Sequence, residues 1–123
     1  MTTVVARTAL APESNFHIAL ARVFGLGKPT ALNIAEACGI SQEMKVKDVN
    51  ELYIQKVAQH IEENYVVGDQ LKRSIRDNIL QLVAMKANRG IRHQHGLSLT
   101  GRTHSNNSTA KRLRHLEMYD TSR

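Results

Sequence analysis

Residues 88–112 contain the side chains best suited to chemistry on a polyanion. This stretch, NRGIRHQHGLSLTGRTHSNNSTAKR, has four Arg, three His, three Gly, one Lys and no acid. Arginine presents forked donors to phosphate, and lysine presents a compact positive charge. Asn and Ser side chains can hydrogen-bond sugar and phosphate, and glycine lets a chain turn and approach closely. The stretch is therefore typical of a segment that binds a nucleic-acid backbone.

The distribution of charge supports the same interpretation. Residues 1–85 carry nine Lys/Arg and nine Asp/Glu, whereas residues 86–123 carry eight Lys/Arg and two acids. The whole net charge of +6 therefore belongs to the end of the chain, which indicates a polyanionic partner. The alternative is a tail that only raises solubility, but solubility requires no particular placement of Gly, His or Asn.

A second candidate site is the segment Gly25-Leu26-Gly27-Lys28-Pro29-Thr30. It does not fit a nucleotide-binding loop, because Arg22 stands where the Walker pattern needs a glycine and Pro29 stands where it needs Ser or Thr. What remains is a turn before a helix, whose exposed amides could hold a nucleic-acid phosphate. A simple tight turn between packed helices explains the same residues equally well.

Other chemistry finds little support in the sequence. His93, His95 and His104 could suggest a metal site, but structural zinc sites usually include thiolates. The single cysteine, Cys38, lies far away on an apolar helix face, where a buried, inert thiol is expected. No nucleophile elbow or carboxylate pair marks a catalytic centre. We therefore expect no enzymatic activity, no metal and no cofactor, and no apolar run approaches the ~20 residues that span a membrane.

Four predicted helices must position these segments. The first should run from a Ser14 cap to about Phe24 with Phe24 on its buried side, and the second should start at Lys28 or Pro29 and stop at Gly39. Asp48-Val49-Asn50-Glu51 resembles a capping box that opens the third helix. The fourth should run from about Gln70 to Ala87 and bury its apolar residues, which are Leu71, Ile75, Ile79, Leu82 and Val83.

After Asn88 the helical periodicity stops, and no strand is predicted. The sequence thus predicts an all-α fold, with a helical domain over residues 1–88 and an extended basic tail over residues 89–123. Such a tail cannot offset its own ordering entropy, so it should order only on RNA. Fully extended, it would reach at most about 115–125 Å.

Three stretches, in the right order, resemble small-subunit ribosomal protein thirteen, the universal protein of the small-subunit head. They are VFGLGK at residues 23–28, VVGDQLKR at 66–73 and RGIRHQHGL at 89–97, and the match continues through Gly101 to Asn107. The resemblance covers residues 14–112 without a gap. The sequence departs from the family at Ser98, Thr100 and Arg102, where the family usually has Pro, Arg and Gln.

The resemblance implies a small helical domain of helix–two-turn–helix type and a tail that enters head RNA toward the peptidyl-site tRNA. It also implies contacts with small-subunit rRNA, with ribosomal protein nineteen of the small subunit and with large-subunit bridge components, and no catalytic activity. The residues predicted to bind RNA are Gly25, Gly27, Lys28, Arg89, Gly90, Arg92, His93, Gly96, Gly101, Arg102, Asn107, Lys111 and Arg112.

The density of Arg and Lys after Gly101 is lower than in bacterial members of the family, which resembles a mitochondrial member. The expected location is therefore the mitoribosome in the mitochondrial matrix, with the bacterial cytoplasm or a plastid as alternatives. The competing function is a free-standing helix–two-turn–helix module that binds DNA or RNA outside the ribosome.

Overall fold

The computed structural model describes residues 2–101 and 106–113 of the chain. Its helices are α1 Phe16–Leu20, α2 Lys28–Ala37, α3 Glu51–Asn64, α4 Gly68–Ala84, α5 Asn88–His95 and α6 Asn107–Leu113. A single 3₁₀ turn, Val46–Asp48, precedes α3. This mostly helical structure confirms the predicted all-α class.

A two-stranded antiparallel hairpin precedes the helices, so the prediction of no strand was wrong. Its strands are β1 Thr3–Val5 and β2 Thr8–Leu10, with Val5 opposite Thr8. The two residues between the strands, Ala6 and Arg7, have φ values of 48° and 62°. Two-residue hairpin turns usually place Gly, Asn or Asp at such positions. The sequence lacks that signal, which is why the hairpin escaped prediction.

The described residues divide into two compact units, the first ending at Lys72 and the second beginning at Arg73. Among the described residues, every buried hydrophobic side chain lies between Val5 and Ile61, within the first unit. Phe16, Leu20 and Ile34 have no exposed surface, and the hairpin adds Val5. Cys38 is buried as expected, and its burial raises the pKa of the thiol.

Helix α1 is shorter than the sequence predicts. It begins after Asn15 and ends at Leu20. Ser14 does not cap it, because the Ser14 hydroxyl donates to the Ala11 carbonyl and closes a turn instead. Val23 still joins the core, but Phe24, predicted on the buried side, is 46% exposed. Its ring lies under the Lys72 ammonium, with 5.3 Å between Nζ and the ring centroid.

The cap of α3 also differs from the prediction. Asn50 is the N-cap, and its Oδ1 accepts from the Leu52 amide, whereas Asp48 belongs to the 3₁₀ turn. Both residue types cap helices well, so local sequence could not choose between two candidates two positions apart.

Helix α4 buries less than its apolar pattern predicts. None of its residues is fully buried, and Ile75 is 39% exposed. Its other predicted core residues, which are Leu71, Ile79, Leu82 and Val83, are half-buried. Among the described residues, the second unit has no buried hydrophobic side chains against which these apolar residues of α4 could pack.

The predicted extended tail does not begin at residue 89. Residues Asn88–His95 form helix α5 instead. A helix of this length spans about 12 Å, so the first part of the tail contributes little reach. The helix depends on a close contact with α4 that periodicity in residues 88–95 does not reveal.

Candidate nucleic-acid interface

The turn at residues 25–28 belongs to the first unit, and packing explains its first glycine. Gly25 has a φ of 101°, a conformation that disfavours other residues. A Cβ atom there would lie 2.6 Å from Leu71 Cδ2 and 3.3 Å from the Val66 carbonyl oxygen. The Gly68 amide donates to the Phe24 carbonyl at 2.8 Å and ties the turn to the start of α4. Gly25 therefore allows the turn to lie directly against the chain at 66–71.

The second glycine of the turn has no such structural reason. Gly27 is exposed and has a φ of −96°, which any residue can adopt. A Cβ atom there would meet only Pro29 Cδ, at an ordinary 3.7 Å. No side chain caps α2, and no acid stands in its first turn. The exposed Lys28 adds a positive charge at this open helix N-terminus, where amides and dipole favour an anion.

Two cations close to this turn were not among the predicted site residues. Lys72 lies over the ring of Phe24, the neighbour of Gly25. Arg7 stands at the hairpin tip, where its Nη1 lies 3.8 Å from Asp69 Oδ2 and its side chain is 91% exposed. Lys72 lies outside the apolar residues predicted for the fourth helix, and only the tertiary structure brings it to the turn. Arg7 had no sequence signal, since the hairpin itself was not predicted.

In the second unit, Gly90 makes the close contact between α5 and α4. Gly90 is buried, and a Cβ atom there would lie 2.4 Å from both the carbonyl carbon and the oxygen of Leu82. It would also lie 2.6 Å from the Val83 amide nitrogen. Because these atoms are backbone, they cannot move aside as a flexible side chain could. Gly90 thus allows the two helices to touch through their backbones.

Gly96 ends α5. It has left-handed φ and ψ values of 70° and 26°, and its amide and that of Leu97 donate back to the last turn of the helix. This is the usual role of glycine after a helix. Gly96 is buried, whereas Gly101 is exposed and has a φ of 67°. The Gly101 amide donates to Ser98 Oγ at 3.3 Å.

The predicted cations of the second unit fall into two groups. Arg89, Lys111 and Arg112 are exposed, the first at the start of α5 and the others in the last turn of α6. Arg92 and His93 are half-buried within α5. Among the described residues of α5 and α6 there is no acidic side chain, so neither helix neutralises its own cations.

Arg92 makes hydrogen bonds inside the protein. Its Nε donates to the Ser98 carbonyl, and its Nη2 donates to Asn107 Oδ1 at 3.2 Å. The same Asn107 oxygen accepts from the Ser98 amide at 3.1 Å. Asn107, predicted to bind RNA, therefore joins the end of α5 to the start of α6.

Arg102, which is predicted to bind RNA, lies outside the described residues. His104, the third histidine of the candidate metal site, lies outside them as well. Within residues 2–101 and 106–113, no three His, Cys, Asp or Glu side chains come together to hold a metal ion. In the same part of the chain, no helix is long and apolar enough to cross a membrane.

Comparison with known proteins finds one family that matches most of the chain. The family model described as "Ribosomal protein S13/S18" matches residues 4–110. "Small ribosomal subunit protein uS13m" of Marchantia polymorpha is 35% identical over 112 residues, which are 90% of this chain and 93% of that protein. The protein of the same name from Daucus carota is 36% identical over 104 residues, 84% of this chain and 90% of that protein. "Small ribosomal subunit protein uS13" of Lawsonia intracellularis is 37% identical over 95 residues, 76% of this chain and 78% of that protein.

Proposed function

The chain belongs to the ribosomal protein S13/S18 family, and we propose that it binds small-subunit rRNA in the head of the small ribosomal subunit. The family confirms the resemblance read from the sequence. Its members are structural, non-enzymatic components of the ribosome, so this chain is a small-subunit ribosomal protein. In the proposal, residues 1–88 act as a helical domain and residues 89–123 act as the RNA-binding tail.

The observation that carries the proposal is the exposed, acid-free surface of α5 and α6. Arg89, Lys111 and Arg112 point their charges to solvent, with no carboxylate among the described residues of either helix to neutralise them. Phosphate contacts of this kind supply most of the affinity for nucleic acid and make it depend on salt. Each exposed cation that meets a phosphate should add about 0.7–0.9 to the salt slope.

A second RNA contact is proposed at the N-terminus of α2. A Cβ atom at Gly27 would meet only Pro29 Cδ, so the backbone at this turn is accessible, and the exposed Lys28 supplies the charge. Helix N-termini hold phosphate through both the free amides and the dipole. Gly25 acts by packing in this scheme, while Gly27 and Lys28 face the RNA.

The finer partners follow from the family resemblance. They are ribosomal protein nineteen of the small subunit, large-subunit components at the intersubunit bridges and the peptidyl-site tRNA. We propose the mitochondrial ribosome as the location of the protein, and this is supported by two relatives that cover most of the chain and are named uS13m. A bacterial or plastid ribosome is the alternative, and the Lawsonia intracellularis relative shows that bacterial members are similar as well.

Charge-reversal substitutions of the exposed cations test the RNA interface without removing any part of the chain. The triple variant Arg89→Glu, Lys111→Glu, Arg112→Glu should bind head-domain rRNA far more weakly than the wild type and with a flatter salt dependence. A matched control reverses three exposed cations of α3 and α4, Lys56→Glu, Arg73→Glu and Arg76→Glu, with the same change in net charge. Equal losses in the two variants would mean that net charge alone, and not this surface, drives binding.

Co-sedimentation at moderate salt separates the ribosomal role from the competing one. The wild-type chain should sediment with small ribosomal subunits, and the triple variant should stay in the supernatant. A wild-type chain that remains free while it binds naked RNA or DNA would favour the free-standing module.

A further inference from the structure

We propose that Arg92 works inside the protein, as the centre of a clasp with Ser98 and Asn107 that fixes the start of α6 beside the end of α5. The Arg92 clasp itself does not depend on the proposed function. Its consequence, the positioning of cations for RNA, rests on that function. In this view Arg92 is a positioning residue, and Arg89, Lys111 and Arg112 are the ones that meet phosphate.

The first argument is the number of bonds that converge on three residues. Arg92 supplies two donors from one rigid guanidinium, to the Ser98 carbonyl and to Asn107 Oδ1. Ser98 closes the ring because its own amide donates to the same Asn107 oxygen, and this residue is only 4% exposed. A planar fork suits two acceptors held in fixed positions, whereas lysine could reach only one of them well.

The second argument is a division of labour between two neighbouring asparagines. Asn106 Oδ1 accepts from the Thr109 amide, and the Asn106 carbonyl accepts from the Ala110 amide, so Asn106 caps α6. Asn107 Oδ1 points instead to Arg92 and Ser98. One asparagine forms the helix end, and the next attaches that end to residues 15 and 9 positions earlier in the chain.

The third argument is charge. Both acceptors of Arg92 are uncharged, so the guanidinium of Arg92 donates its hydrogen bonds and still keeps its positive charge. A carboxylate partner would have neutralised Arg92 and weakened the field of the cationic surface. A clasp of this kind orders the cations of α5 and α6 before RNA arrives, which lowers the ordering entropy that binding must overcome.

The clasp itself is tested in the free, full-length protein by NMR. The Arg92 Nε proton should exchange slowly with water in the wild type and at least several-fold faster in Asn107→Ala. Asn107→Asp keeps the shared acceptor and should retain slow exchange, and Asn106→Ala, which removes only the helix cap side chain, should retain it as well. Equal exchange rates in the wild type and Asn107→Ala would overturn the clasp.

Its consequence is tested by affinity for a transcript of the head domain of small-subunit rRNA across a salt series. Arg92→Ala, Arg92→Lys and Asn107→Ala should each weaken binding about 3- to 10-fold, the loss that one hydrogen bond of ordinary net strength represents. The double variant Arg92→Ala, Asn107→Ala should lose no more than the single variants, because the two residues act through one structure. The salt slope of Asn107→Ala should equal that of the wild type.

Arg92 as a direct phosphate ligand gives the opposite results. Arg92→Lys would then keep most of the affinity, Arg92→Ala would lower the salt slope by about 0.7–0.9, and the two alanine losses would add. That pattern would overturn the positioning role. If slow Nε exchange holds but neither the wild type nor any variant binds the transcript, the clasp stands and the proposed RNA function fails.

Discussion

The two units of the chain reach their structure by different means. The first unit encloses an aliphatic core in which Phe16, Leu20 and Ile34 have no exposed surface. Among its described residues, the second unit buries only Gly90, Gly96 and Ser98 completely, and none of these is a large apolar side chain. Apolar burial is the main driving force of folding, at roughly 25 cal/mol per Å². The second unit has far less apolar burial, and it is held by the backbone contact at Gly90 and by the hydrogen bonds around Arg92.

This difference matches the proposed division of roles. A unit with a closed core can fold before assembly, while a unit held by polar contacts can adapt to a partner and gain order from it. The uneven charge follows the same division, because cations cannot be buried in a core and collect where little is buried. The following variants test how separate the two units are, from the largest expected effect to the smallest.

Ile61→Asp should unfold the first unit. Ile61 is 2% exposed in the core, and an unpaired buried carboxylate costs more than about 3 kcal/mol. Circular dichroism and chemical denaturation of the full chain measure the loss. Ala58→Asp, on the exposed face of the same helix, is the control and should remain folded. A folded Ile61→Asp protein would show that the core is not closed at α3.

Gly90→Ala should destabilise the second unit alone. The new methyl group would meet the Leu82 backbone at 2.4 Å, so α5 must move, at a cost of about 1–3 kcal/mol. Amide hydrogen exchange should become faster in α5 and stay unchanged in α2 and α3. Gln94→Ala, exposed on the same helix, serves as the control. Faster exchange in all helices would mean that the two units unfold together.

Gly25→Ala should weaken the first unit by more than Gly39→Ala does. Both glycines have positive φ, 101° and 80°, but only at Gly25 does a Cβ atom meet protein atoms. Backbone strain alone costs about 1–3 kcal/mol at such positions, and Gly25 adds the contact with Leu71 and Val66. Thermal denaturation of the two variants gives the comparison. Equal losses would remove the packing explanation for Gly25.

Gly27→Ser should leave stability unchanged or slightly higher, yet weaken RNA binding. The space around Gly27 accepts a side chain, and serine is a good N-cap for α2. Its hydroxyl would occupy amides that the proposal reserves for phosphate. Denaturation and rRNA affinity are measured on the same sample. Unchanged affinity would leave the turn with a structural role only.

The smallest effect concerns Glu13. Lys47, whose Nζ lies 3.2 Å from Oε2, holds the pKa of this carboxyl below its ordinary value, and Lys45 at 3.7 Å adds to this. A carboxyl pKa lowered by folding gives stability that is present above the unfolded pKa and is lost as pH falls through the folded pKa. Glu13 is exposed, so the contribution is small. NMR titration should show the pKa rising more in Lys47→Gln than in Lys45→Gln, and the reverse order would contradict the assignment.

The sequence by itself determined the helical class, the family and the position of the cationic surface. Apolar spacing is a local property, so it located α2 and α3 well. Helix α2 ends at Ala37, close to the stop predicted at Gly39. Net charge is likewise additive along the chain, so the excess after residue 85 needed no structure to be seen.

Tertiary structure alone decided what each glycine and arginine does. Local sequence does not distinguish Gly25, Gly27 and Gly90. In the structure, protein atoms crowd a Cβ atom at Gly25 and at Gly90, whereas a Cβ atom at Gly27 would make only an ordinary contact. Residues 88–95 lack an apolar stripe, and their helix packs on α4 through Gly90. The partners of Arg92 lie 6 and 15 residues away. Such contacts join residues that are distant along the chain, so no local pattern encodes them, and only the folded backbone brings donor and acceptor together.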